Sequence, residues 1–161
     1  MNEEQYQQMK THRDYQLKVM QYAYHGDTPL LKACIKQGRV DPTFQDDLGN
    51  TALHYAASSQ SMVDWSLEVQ MNRMVNRFNR SRQMETIHLL LDAGFSLFVP
   101  NGYGEFPVHL AEKYGNCLND KYGLENVIEF LNNKMIEVER TRLLTSASAK
   151  SVLGSYSHRR M

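Results

Sequence analysis

Apolar side chains recur at helical spacing along several stretches of this chain. Between residues 13 and 24, Tyr15, Leu17, Val19, Met20 and Ala23 gather on one side of a 3.6-residue helix. Residues 28–37 place Leu30, Leu31, Cys34 and Ile35 in the same way. Asp27 or Thr28 stands at the cap, Pro29 at a tolerated first-turn position, and Gly38 closes the element. Over 51–59, Leu53, Ala56 and Ala57 make a narrow small-residue face that lets another helix come close. The run at 84–94, ending in Gly94, predicts a further helix. So does 125–144, through Val127, Ile128, Phe130, Leu131, Met135 and Val138. Residues 1–12 are polar and are expected to be frayed. Residues 145–161 carry Lys150, Arg159 and Arg160, no acid, and serines at 146, 148, 151, 155 and 157, and read as a flexible basic tail.

The segment joining two of these helices, 46–57, reads Asp-Asp-Leu-Gly-Asn-Thr-Ala-Leu-His-Tyr-Ala-Ala. Gly49 supplies the positive φ of a tight turn. Thr51 is placed to cap the following helix with its hydroxyl, and His54, three residues on, to reach back toward the capping residue. This order of residues resembles the Gly-x-Thr-Pro-Leu-His-x-Ala-Ala core of an ankyrin repeat. Ala23 and Ala57 are 34 residues apart, close to the repeat period of about 33. The extra residue near Val40, in Arg39-Val40-Asp41-Pro42, accounts for the difference. Ala56 and Ala111 are 55 apart, about 22 residues more than one period. An insertion is therefore expected at 61–83, inside the second repeat. The third repeat opens at Asn101-Gly102-Tyr103-Gly104 and runs to His109 and Ala111. There Phe106 replaces the usual threonine, and Pro107 offsets the lost cap in part. A smaller insertion is expected near 116–124.

The resemblance implies an all-α fold, an α-solenoid of three helix pairs with an inserted helix. Its repeats are expected at 13–45, 46–100 and 101–133, with a helical extension to residue 144. No pair can bury its own face, so the three are expected to fold together. Leu90 is expected in the core of the second pair. Length fits this picture, since 161 residues make one modest domain of ordinary composition, 42% hydrophobic and 22% charged.

Charge and chemistry narrow the function. Basic and acidic residues balance at 18 each, so no net field favours nucleic acid or a membrane. The acidic, polar start lacks the pattern of a secretory signal, and no stretch is apolar enough to span a bilayer. Two cysteines, Cys34 and Cys117, do not make a disulfide framework. An intracellular, reducing location is expected, including the inside of a host cell should the protein be exported there. His54 and His109 each sit three residues after a capping position and are read, with Gly49, Thr51 and Gly104, as parts of the turns. A zinc site from these histidines and the cysteines, serving a metal-dependent hydrolase, is the remote alternative, because no two of the four have close ligand spacing. No nucleophile motif or phosphate loop appears. The expectation is a protein without catalysis, cofactor or metal.

The resemblance places partner contacts on the turn tips and the exposed side of the first helices. In this chain those positions are Tyr24, His25, Asp47, Leu48, Asn50, Ser58, Ser59, Tyr103, Glu105, Lys113 and Tyr114. The three tyrosines offer a rigid ring with a polar tip, which suits an interface or packing between repeats equally. In the insertion, Leu67, Met71, Met74, Val75 and Phe78 share one helical face. Arg73, Arg77 and Arg80 lie on another, either a contact for an acidic partner or a solvated surface. The expected function is a monomeric protein-interaction module without direct nucleic-acid contact, an effector or regulator of a host or cellular protein. Sequestering of a transcription factor is the alternative setting.

Overall fold

The computed structural model describes residues 2–58, 73–115 and 124–157, with the side chains of 73–81, 115, 124–126 and 152–157 left outside the description. Six helices follow in order: α1 Glu3–His25, α2 Thr28–Lys36, α3 Ala52–Ser58, α4 Arg73–Asp92, α5 Pro107–Gly115 and α6 Leu124–Ser157. No strand occurs among the described residues. Odd helices form one row, α1 against α3 and α3 against α5. Each packs on the helix that follows it, and α2 packs on α4. This is the two-layer stack of helix pairs expected from the repeat pattern.

Small residues set the spacing of the first row. Ala23 of α1, Ala52, Ala56 and Ala57 of α3, and Ala111 of α5 are buried, so these helices meet with little side chain between them. The second layer closes the core from the other side with Leu31, Ile87, Leu90, Val127 and Leu131. Phe95 and Leu97, from the loop after α4, complete it. Two glutamines tie elements together where backbone groups would otherwise be stranded. Gln16 donates to the Arg39 carbonyl and accepts from the Asp41 amide, fixing α1 to the loop after α2. Gln83 donates to the Ala56 and Ala57 carbonyls at the end of α3.

Three boundaries differ from expectation. Helix α1 starts at Glu3 rather than near residue 13. Asn2 and Gln5 form a reciprocal cap there, and Glu3 and Glu4 favour the positive end of the helix. The described part of the inserted segment, 73–83, and the second helix of its repeat are not separate helices: residues 73–92 are one helix. That run holds no glycine or proline, so nothing stops the helix at residue 83. The stretch read as a flexible tail from residue 145 is helical to Ser157. Thr141 and Thr145 bond back to the carbonyls four residues earlier, keeping their hydroxyls inside the helix pattern. Residues 59–72 and, of the smaller insertion expected near 116–124, residues 116–123 lie outside the described residues, and with them Leu67, Met71, Cys117 and Ser59. So do the side chains of Arg73, Arg77, Arg80, Met74, Val75 and Phe78.

Candidate functional site

Two turns project between the helix pairs, one leading into α3 and one into α5, and they are built alike. Asp46 accepts from the amides of Leu48 and Asn50 through one side-chain oxygen, while its carbonyl takes the Gly49 amide and its amide donates to the Asn50 carbonyl. Asn101 makes the same four bonds, to Tyr103, Glu105 and Gly104. A short polar side chain that folds back on its own turn is the reason Asp and Asn serve here. Asn101 is a turn residue without a role in the sequence pattern taken alone. Its signal was its 55-residue offset from Asp46, the same offset that relates the alanines.

The turns are joined to each other. The Gly102 amide donates to the Leu48 carbonyl at 2.8 Å, and the Gln45 side chain spans the Gly49 and Pro100 carbonyls. This contact demands glycine on both sides. A Cβ on Gly49, where φ is 76°, would lie 2.5 Å from the Gly102 nitrogen. One on Gly102 would lie 2.9 Å from the Leu48 oxygen.

His54 locks the same joint from beneath. Its Nδ1 accepts from the Thr51 amide at 3.1 Å and lies 2.9 Å from the Thr51 hydroxyl, while Nε2 lies 3.0 Å from the Glu105 carbonyl. A carbonyl only accepts, so the proton sits on Nε2. The Thr51 hydroxyl thus faces the ring and not an amide of α3. Burial holds the His54 pKa below the ordinary histidine value, against the opposing pull of the Glu105 bond. Both ring nitrogens are engaged, so His54 has no lone pair for a metal. Among the described residues no three metal-ligating side chains converge. His109 copies the local half of this arrangement, with Nδ1 accepting from the Phe106 amide at 3.0 Å, but its ring is exposed.

The proposed contact residues divide by surroundings. Leu48 (51% exposed) and Tyr103 (75% exposed) stand on equivalent points of the two joined turns. Asp47 is exposed and paired with Arg13 of α1 at 2.8 Å. Glu105 accepts from the Asn101 side-chain amide and pairs with Lys113 at 3.2 Å, and these two, the Asn101 bond first, hold its carboxyl below the usual range. Asn50 accepts from the Asn101 amide group. The Lys113 ammonium also lies 5.9 Å from the ring of the half-buried Tyr114. Tyr24 is half-buried against Tyr55, edge to face, with exposed His25 on its other side. Tyr55 in turn donates to Asp46, and burial together with that bond pushes its phenol up to about 12. Ser58 is a correction: it is buried at the end of α3, its hydroxyl donating to the Tyr55 carbonyl, and it presents nothing to a partner.

Residues 19–69 match the family model described as ankyrin repeats (many copies). No curated protein gives a match to this chain. The matched span takes in the first turn and His54. The second turn lies beyond it and has the same bonds.

Proposed function

We propose, from the premise that this chain is an ankyrin-repeat protein, that it is a non-catalytic module whose joined turn tips bind another protein. The observation that carries this reading is the pair Leu48 and Tyr103. Two large apolar side chains are held in solvent on turns pinned by the Asp46 and Asn101 side chains and by the Gly102–Leu48 bond between them. A pre-ordered apolar pair flanked by the Asp47–Arg13 and Glu105–Lys113 ion pairs is the composition of an interface anchor with a polar rim. The setting we propose is a regulator or effector acting on a cellular or host protein inside the cell. Its support is the insertion that the 55-residue offset between Ala56 and Ala111 predicts inside the second repeat.

Affinity capture from a cell lysate tests this. A Leu48→Asp/Tyr103→Ala variant should keep the wild-type melting temperature and lose the proteins that wild type retains. Capture of the same proteins by both would move the binding surface elsewhere.

A further inference from the structure

Helix α6 outruns the stack it caps. Val127 and Leu131 are buried and Met135 is half-buried, yet from Ile136 to Ser151 every residue is exposed. That is roughly 24 Å of helix at 1.5 Å per residue. It is not a polar projection. Ile136 is 51% exposed, Leu143 62% and Leu144 70%. With Arg140 and Ala147 these three fall at i, i+4, i+7, i+8 and i+11, one face of the helix, turned away from the side that carries Val127 and Leu131. A helix with Thr141, Thr145, Ser146 and Ser148 in it has modest propensity, and without a packed face it is marginal in water. Such a stripe calls for a partner.

The charges say which partner. On the domain side of this stretch stand Glu129, Glu137 and Glu139, with Lys134 already bonded to Glu137 at 2.7 Å. Beyond them come Arg140, Arg142 and Lys150, and residues 140–151 contain no acid. The sign therefore changes at the Glu139–Arg140 step. Two copies laid parallel would set acid against acid and base against base. Two copies laid antiparallel, with the two-fold axis at that step, set the acidic half of each against the basic half of the other. The same operation brings Ile136 of one copy level with Leu143 of the other. A self-complementary patch of this kind is what a two-fold dimer requires. We propose that α6 is a homodimerisation helix, pairing antiparallel with α6 of a second copy through Ile136, Leu143 and Leu144. This departs from the monomer expected of the sequence, and it uses none of the turn-tip residues.

Sedimentation equilibrium on the full chain decides it. Wild type should show a concentration-dependent monomer–dimer equilibrium. Leu143→Glu/Leu144→Glu should be monomeric and should melt like wild type diluted until it too is monomeric, because neither side chain touches the core. Arg140→Glu/Arg142→Glu should raise the dimer dissociation constant by roughly tenfold or more at low salt, and adding Glu137→Arg/Glu139→Arg to the same chain should restore it. A wild type that stays monomeric at its highest soluble concentration would overturn the proposal. So would a dimer that survives Leu143→Glu/Leu144→Glu, or a charge exchange that fails to restore pairing.

Discussion

Asp46 and Asn101 bend the chain around their own side chains by the same four bonds, and His54 and His109 each reach back to an amide three residues earlier. His54 is fully buried and His109 is exposed. The difference comes from what lies beyond each unit. The first turn has a second one stacked on it, whose Glu105 carbonyl accepts a hydrogen bond from His54 Nε2–H and whose Gly102 amide donates to the Leu48 carbonyl. Among the described residues no such layer covers the His109 ring. A repeat motif thus specifies its own turn locally, and acquires burial and stability from its neighbour. The same residue type is a structural joint in one repeat and surface in the next.

Substitution of the two histidines should separate these roles most widely. His54→Ala strips the Thr51 amide and the Glu105 carbonyl of buried partners and leaves a cavity, costing about 2–5 kcal/mol. His109→Ala removes one bond at an exposed helix start, costing about 0.5–1 kcal/mol. Urea unfolding of both variants checks this, and equal losses would break the comparison.

The glycines sharpen it. Gly49 and Gly104 share a φ of 76°, but a Cβ on Gly104 meets nothing within 4 Å. Gly104→Ala should therefore show only the backbone cost of a left-handed residue, about 1–2 kcal/mol. Gly49→Ala should lose more, because the turns must part to admit the methyl group. Thermal melts of the two alanine variants give the difference directly.

A pH series gives a smaller effect with a defined sign. The folded-state pKa of His54 is depressed below the ordinary 6.5, so below that pH the unfolded chain binds more protons than the folded one. The stabilisation is complete above that value, declines as pH falls through the range between the two pKa values, and levels off beneath the folded one. Urea melts at about pH 7.5 and about pH 5 should show a decline in wild type that His54→Gln lacks. Smallest of all, Tyr103→Ala and Leu48→Ala should leave stability within about 0.5 kcal/mol of wild type, as exposed substitutions do.

Much of this was legible in the sequence because repeats write themselves twice. The 34- and 55-residue offsets placed the helix pairs, and the spacing Thr51 to His54 foretold the bond between them. The order Leu-Leu-Leu-Asp-Ala-Gly likewise put Leu90 in the core, where it is buried. What was not legible depends on contacts between residues far apart. Ser58 looked like a surface serine until the end of α3 was seen covered. Glu105 looked like an exposed acid, yet its backbone oxygen is the acceptor that joins the repeats. The length of α6 was missed because serine and threonine read as disorder in composition, while in place their hydroxyls bond back along the helix. The unbroken α4 was missed because the family pattern begins a helix at residue 84 and nothing in the residues before it says stop.

The joint between the repeats is tested most directly by long-range proton–nitrogen spectra of the histidine rings, recorded across a pH titration. With His54 assigned by its absence in His54→Gln, its ring should carry the proton on Nε2 and stay neutral to a pH below 6.5. A His54 that is protonated on Nδ1 when neutral, or that titrates at 6.5 or above, would contradict the bridge from Thr51 to Glu105 and with it the account of how these repeats are held together.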